Sequence, residues 1–125
     1  MKILLDTRIM YWCFYSISRV PPLAKEQILA AETVYVSSAS ILEIAVKGRL
    51  RKVASDPVRL AQSIEASGFQ ELPVTARHAA TVASLPPLLS DPFDRLLIAQ
   101  AMSEPLHFVT TDERLREYSE LVVLV

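Results

Sequence analysis

The chain has 125 residues, a formal net charge of −1 and a hydrophobic content of 51%, with only 22% charged residues. The near-neutral charge excludes a protein that binds nucleic acid mainly through a broad basic surface. One cysteine and two glycines exclude a disulfide framework, a thiolate metal site and a glycine-rich phosphate loop. No apolar run is long enough to span a bilayer and no signal peptide is evident, so we expect one cytoplasmic domain over residues 1–125 that does not enter a membrane.

Short apolar runs alternate with amphipathic segments along the whole chain. Strands are predicted over 2–6, 33–36, 69–74, 107–110 and 121–125, and helices over 7–16, 22–32, 39–50, 57–67, a segment after Thr75, 91–101, and a short segment after Thr111 or Asp112. Gly48 is predicted to lie near the end of the third helix. This alternation predicts an α/β fold, a three-layer α/β/α sandwich around a mainly parallel sheet of about five strands.

The helix that begins near residue 91 has the clearest start signal in the chain. Asp91 is suited to accept hydrogen bonds from the first free N–H groups, and Pro92 suits the first helical position. Asp94 follows one turn later, so both carboxylates leave the same end of the helix. Asp91 is interpreted mainly as the cap, and the pair together indicates a site for a cation.

Four acids lie where a solvated helix face would not place them. They end strands or begin helices, and they are Asp6, Glu43, Asp94 and Asp112. Because ligands bind beyond the carboxyl ends of parallel strands, we expect these acids to meet at one edge of the sheet. Like charges gathered there stay ionised only if a cation neutralises them, and oxygen ligands favour Mg²⁺ or Mn²⁺. A water activated by such an ion can attack a phosphodiester.

Four segments give the chain a resemblance to PIN-domain proteins, most closely to the VapC-type toxins of bacterial toxin–antitoxin pairs. The segments are 4–7 (LLDT), 37–47 (SSASILEIAVK), 85–101 with DPFDRLLIAQA at its end, and 110–112 (TTD). The resemblance implies an α/β/α sandwich whose acids hold Mg²⁺ or Mn²⁺ and hydrolyse RNA. By the same resemblance the four acids named above are the catalytic and metal-binding residues, with Asp91, Thr110 and Thr111 in supporting positions. It also implies a cognate antitoxin as partner and a homodimer.

The chain departs from the family pattern at two positions. Arg8 stands where the close subgroup usually has His, and Leu42 stands where Trp usually precedes the glutamate. Arg8 either pairs with a carboxylate such as Asp6 or contacts substrate phosphate. Lys47 and Arg95 are further candidates for phosphate contact, although pairing with the acids is the simpler interpretation of both.

The remaining residues with reactive or aromatic side chains are assigned simpler roles. The aromatic residues 11, 12, 14 and 15 are expected to divide between the core and a protein interface rather than to stack on RNA bases. His78 is expected to be solvated and His107 to begin a strand. The main hypothesis is therefore a metal-dependent ribonuclease toxin. The alternative is a catalytically weak PIN-like subunit that binds an antitoxin and helps it to bind operator DNA.

Overall fold

A computed structural model describes residues 1–51 and 56–125, and residues 49–51 are described by their backbone alone. Five strands lie in one sheet, and they are β1 (Lys2–Leu5), β2 (Thr33–Ser37), β3 (Gln70–Leu72), β4 (His107–Thr110) and β5 (Val122–Leu124). The helices are α1 (Thr7–Tyr15), α2 (Pro22–Ala30), α3 (Ser38–Arg51), α4 (Pro57–Ala66), α5 (Ala76–Thr81) and α6 (Pro92–Ser103). Short 3₁₀ helices span Ile17–Arg19, Val82–Ser84 and Glu113–Tyr118.

The sheet has the strand order β3-β2-β1-β4-β5, and all four pairings are parallel. The chain therefore crosses over between strands, as a parallel sheet requires. The carboxyl ends of the strands share one edge, where Asp6 follows β1 and Thr111 follows β4. The predicted parallel α/β sheet of five strands is confirmed.

Side chains of the central strand alternate between two cores, which makes three layers. Ile3 and Leu5 face one core, where they meet buried residues of α1, α2, α3 and α4. Leu4 faces the other core, which Leu97 and Ile98 of α6 complete. The alternation follows from the period of two in a strand, and burial on both faces explains why β1 is apolar throughout.

A serine and a proline lie at the boundaries of two elements, the start of α3 and the end of β3. Ser37 Oγ accepts the backbone N–H of Ala39 at 3.0 Å, so it caps the start of α3. Pro73 follows β3, which is shorter than the predicted strand 69–74. α3 spans Ser38–Arg51, which agrees within one residue at each end with the predicted helix 39–50, and Gly48 lies in its last turn.

His78 is buried, which corrects the prediction that it is solvated. Its Nδ1 accepts the backbone N–H of Thr75, and the Thr75 hydroxyl accepts the backbone N–H of His78, which forms a capping box at the start of α5. His78 Nε2 pairs with Glu104 at 2.7 Å. The fully buried Gln100 connects this pair to Ser37, whose hydroxyl donates to Gln100 Oε1. The prediction failed because the α5 pattern does not show which face α6 covers.

Across the described ranges, none of the helices combines the length and the apolar character needed to cross a membrane.

Candidate active site

A cavity of about 520 Å³ opens at the carboxyl edge of the sheet. Its walls come from the start of α1, the middle of α3, the start of α6 and the segment after β4. Five carboxylates line it, and they are Asp6, Glu43, Asp91, Asp94 and Asp112. The structure thus brings together all four acids that the sequence analysis selected, from positions spread over more than a hundred residues.

Asp6 lies deepest, because it connects the central strand directly to α1. Its backbone N–H donates to Val109 O at 2.9 Å, and its Oδ2 accepts the hydroxyl of Thr110 at 2.5 Å. Burial raises the pKa of Asp6, the hydrogen bond from Thr110 works against that rise, and the nearby charge of Glu43 adds to it. A cation bound beside Asp6 would therefore lower its pKa and favour the ionised carboxylate.

Asp91 and Asp94 enter the cavity from the first turn of α6. Asp91 Oδ1 accepts the backbone N–H groups of Phe93 and Asp94 at 2.8 and 3.3 Å, so Asp91 is the predicted cap. Asp94 makes no such cap. Burial, together with the charges of Asp6, Asp91 and Glu43, raises the pKa of Asp94 to about 7. At neutral pH, Asp94 therefore lies near the midpoint of its titration in the absence of a cation.

Lys47 bridges two of the acids across the cavity. Its Nζ donates to Glu43 Oε2 and to Asp91 Oδ2, each at 2.7 Å, and lies 5.4 Å from the centroid of the Phe93 ring. Burial opposes the charge on Lys47, but the hydrogen bonds to Asp91 and Glu43 outweigh it and raise the pKa of Lys47. The same contact, with the cap hydrogen bonds, outweighs burial at Asp91 and lowers its pKa. The predicted pairing of Lys47 with the acids is confirmed.

Asp112 forms the opposite wall and is held by Arg114. Arg114 Nε donates to Asp112 Oδ1 at 3.0 Å and Arg114 Nη2 donates to Asp112 Oδ2 at 2.8 Å. These hydrogen bonds lower the pKa of Asp112, although burial acts in the opposite direction. The Asp112 backbone N–H donates to Thr110 Oγ1, which connects this wall to Asp6. Thr111 also lines the cavity.

Positive and aromatic side chains form the rim of the same cavity. Arg8 and Arg19 are exposed, and Tyr11 and Trp12 lie beside them on the cavity wall. Arg8 has no ion-pair partner within 4 Å among the residues described here, and its charge lowers the pKa values of Asp6 and Asp112. The positions of Arg19 and Arg114 at the cavity were not predicted, because nothing in their local sequence distinguishes them from ordinary surface arginines.

Arg95 does not line the cavity. Its guanidinium donates to the carbonyl oxygens of Val82, Leu85, Pro86 and Leu89, and to the Tyr118 hydroxyl, at 3.0 to 3.5 Å. It therefore holds the connection before α6 in place. The predicted role of Arg95 in substrate binding is corrected to a structural one.

The donor chemistry of the cavity fits a hard divalent cation. The five acids provide only oxygen ligands, which such cations prefer. In addition, Glu43 Oε1 is buried and has no hydrogen-bond partner in the described part of the chain. A buried anionic oxygen without a partner is costly, and a cation would remove that cost. Within residues 1–51 and 56–125, no group of three or more acid, histidine or cysteine side chains is arranged to hold a metal ion as it stands. Thr110, Lys47 and Arg114 instead hold four of the five acids, which are Asp6, Glu43, Asp91 and Asp112.

Comparison with known proteins agrees with this architecture. The family model described as the PIN domain matches residues 3–121. The chain is 30% identical over 123 residues to Ribonuclease VapC22 of Mycobacterium tuberculosis strain ATCC 25618 / H37Rv, and the match covers 93% of this chain and 91% of the relative.

Solved structures share the fold at low sequence identity. VapBC2 from Rickettsia felis, bound to a promoter DNA fragment, has a TM-score of 0.71 at 16% identity, covering 100% of this chain and 98% of that one. FitAcB from Neisseria gonorrhoeae has a TM-score of 0.67 at 19% identity, covering 98% and 96%. A toxin–antitoxin complex from Klebsiella pneumoniae has a TM-score of 0.66 at 18% identity, covering 97% and 95%.

Proposed function

The chain belongs to the PIN-domain family, and from that premise we propose that it is a metal-dependent ribonuclease that acts as the toxin of a type II toxin–antitoxin system. The similarity to Ribonuclease VapC22 supports the RNA substrate and the hydrolytic chemistry. The single observation that carries the proposal is the cavity in which Asp6, Glu43, Asp94 and Asp112 meet. Its location beyond the carboxyl ends of parallel strands is where such sheets bind ligands. A cytoplasmic location is part of the proposal, since the RNA substrate lies there.

The three acids that hold the cation in this proposal are Asp6, Asp94 and Glu43, with Asp112 as a fourth. Mg²⁺ or Mn²⁺, if bound by these residues, would supply a water of lowered pKa and would neutralise charge on the phosphate. Thr110 orients Asp6 by donating to its Oδ2. Asp112 becomes available when Arg114 moves away, and this costs little because the Arg114 side chain is 69% exposed.

The rim supports the binding of RNA phosphates at the acids. Arg8 is exposed, lines the cavity, and its charge acts to lower the pKa values of Asp6 and Asp112. A phosphate bound at these acids would therefore lie near a guanidinium that makes no ion pair with the described residues. Arg114 becomes a second phosphate contact on the opposite wall once it leaves Asp112. Lys47 contacts acids rather than phosphate in this scheme, because two carboxylates already hold its ammonium.

A cognate antitoxin and a second copy of this chain are the proposed protein partners. The antitoxin is supported by the solved structures that share the fold, which include a toxin–antitoxin complex from Klebsiella pneumoniae and VapBC2 from Rickettsia felis. Exposed apolar side chains support contacts with other proteins, since Leu42 and Val46 on one face of α3 are 56% and 48% exposed. These residues lie one turn apart, on the helix that carries Glu43.

One observation favours the alternative of a catalytically weak, antitoxin-binding subunit that helps to regulate its own operator. Lys47 and Arg114 occupy oxygens of three acids, so the cavity is partly neutralised by the protein itself. In that case the acids would serve mainly to bind basic groups of a partner. The two functions differ in whether a divalent cation displaces Arg114 and binds the remaining acids.

The test is RNA cleavage by the antitoxin-free protein with Mg²⁺, with Mn²⁺ and with a chelator. Asp94→Asn keeps the shape of the side chain and removes its charge, so cleavage should be lost while the circular dichroism spectrum is retained. Asp56→Asn is the matched control, because Asp56 caps α4 away from the cavity and asparagine caps equally well. Cleavage by Asp94→Asn at the wild-type rate, or wild-type cleavage that persists in the chelator, would contradict the ribonuclease proposal.

A further inference from the structure

Lys47 is the least exposed of the described basic residues that line the acidic cavity. Its Nζ lies 2.7 Å from Glu43 Oε2 on its own helix and 2.7 Å from Asp91 Oδ2 on α6. The side chain is 28% exposed and its ammonium lies beside the Phe93 ring. Residues 47 and 91 are 44 positions apart, so the bridge joins two separate elements that carry acids of the site.

Lys47 leaves only one of the two oxygens of Glu43 for another cation. Glu43 Oε2 accepts from Lys47, whereas Oε1 is buried and has no donor in the described parts of the chain. Both oxygens of Asp91 have donors, because Oδ1 accepts two backbone N–H groups and Oδ2 accepts from Lys47. Asp91 therefore has no oxygen without a donor, and Glu43 has one.

The remaining acids suffice for one divalent ion. Arg114 contacts both oxygens of Asp112, so among the described residues Asp6, Asp94 and Glu43 Oε1 are the acidic groups of the cavity without a cationic partner. Asp112, once Arg114 moves away, adds a fourth acid to the same ion. A second ion would need further carboxylate oxygens, and Glu43 Oε2 and Asp91 Oδ2 already accept hydrogen bonds from the Lys47 ammonium. Lys47 Nζ lies 2.7 Å from both Glu43 Oε2 and Asp91 Oδ2. The ammonium therefore occupies the position between these two oxygens that a second cation would need.

Resting on the proposed metal-dependent function, we propose that Lys47 is a positioning residue that takes the place of a second metal ion, holding Glu43 against Asp91 and limiting the centre to one divalent cation. A structural bridge between α3 and α6 would require only that the two helices stay together. The proposed role also requires that the number of bound cations changes when the ammonium is removed. Metal stoichiometry therefore distinguishes the two roles, whereas stability does not.

The experiment is a titration of the full-length protein with Mn²⁺ at pH 8, followed by calorimetry and by the electron paramagnetic resonance signal of free Mn²⁺. The wild type and Lys47→Arg should bind one ion per chain. Lys47→Gln should bind two, because Glu43 Oε2 and Asp91 Oδ2 become available. Lys25→Gln, at an exposed lysine of α2, is the control and should match the wild type. The double variant Lys47→Gln/Asp91→Asn should return to one ion, because the second position loses one of its two acids.

Binding of one ion by folded Lys47→Gln, or of two ions by the wild type, would overturn the role of Lys47 and leave the ribonuclease proposal intact. If Lys47→Gln fails to fold, as judged by circular dichroism, Lys47→Met keeps more of the apolar stem and tests the same expectation. A wild type that neither binds Mn²⁺ nor cleaves RNA would overturn the proposed function and the role of Lys47 together.

Discussion

Thr110 Oγ1 donates a hydrogen bond of 2.5 Å to Asp6 Oδ2, and both residues lie at the carboxyl ends of adjacent parallel strands. The same hydroxyl oxygen accepts the backbone N–H of Asp112 at 3.0 Å. One buried hydroxyl thus connects the deepest acid of the cavity to the acid on its opposite wall. The arrangement requires the β1–β4 pairing, because residues 6 and 110 are 104 positions apart.

Replacing Thr110 by Val should destabilise the protein and weaken its affinity for Mn²⁺. Valine keeps the shape but removes the donor to a buried carboxylate, and hydrogen bonds to charged groups contribute about 1.5–3 kcal/mol to the free energy of unfolding. The pKa of Asp6 should rise further, because that hydrogen bond lowers it. Urea unfolding at pH 8 measures the loss. Thr111→Val is the control and should change the free energy of unfolding by no more than about 0.5 kcal/mol. Equal losses in the two variants would contradict a special role for Thr110.

The metal-free protein should become less stable as the pH rises through neutrality. The pKa of Asp94 is about 7 in the folded state, whereas the ordinary value of 3.8 applies to the unfolded chain. The folded state therefore binds this proton more tightly than the unfolded state does. The resulting stabilisation is complete below about pH 3.8 and is lost as the pH rises through about 7. Burial raises the pKa of Asp6 as well, which adds to the trend.

Urea midpoints measured in a chelator across this range test the expectation, since Asp94→Asn should flatten the dependence. Adding Mg²⁺ should restore stability at the high-pH end, because the ion neutralises the ionised acids. A wild-type midpoint that rises between pH 5 and 8 in the chelator would show that like-charge repulsion is not the dominant effect in the cavity.

Substitution of Arg95 should lower stability without changing RNA affinity, whereas substitution of Arg8 should lower RNA affinity without changing stability. Arg95→Met removes the donors to a series of backbone carbonyls, so we expect a loss of about 1–3 kcal/mol in the free energy of unfolding. At a temperature where it stays folded, its affinity for RNA should be unchanged. Arg8→Gln should leave stability within about 0.5 kcal/mol, because Arg8 is exposed, and should weaken RNA binding. Thermal unfolding and RNA binding in a chelator separate the two effects, and reversed results would refute both assignments.

Gln100→Leu should destabilise the fold although the leucine is apolar and similar in size. Gln100 Oε1 accepts from Ser37, and its amide group lies 3.3 Å from His78 Nδ1. Leucine would leave the buried Ser37 hydroxyl without its acceptor, which costs about 1–3 kcal/mol in the free energy of unfolding. Ser37→Ala should cost less in the Gln100→Leu background than in the wild type, because there it removes only the cap of α3 and no longer the hydrogen bond to Gln100. Additive effects of the two substitutions would argue against the contact.

Much of the fold follows from patterns that a linear sequence carries. Apolar runs that alternate with cap residues identify the five strands and the main helices, because strand and helix periods and end signals are local properties. Asp91 and Pro92 identify the start of α6, because aspartate accepts hydrogen bonds from the first free N–H groups and proline suits the first helical position. Acids at strand ends (Asp6 and Asp112) and near helix starts (Glu43 and Asp94), together with the rule for parallel sheets, were enough to select the four acids.

The sequence by itself therefore determined the architecture and the group of acids that meet. Only the tertiary structure decided which charges pair: Lys47 with Asp91, Arg114 with Asp112, and Arg95 with backbone carbonyls rather than with the site. It also decided that His78 is buried against Gln100. The physical reason is that periodicity defines which face of an element is apolar, whereas the partner of a charged or polar side chain depends on distances between elements far apart in the chain.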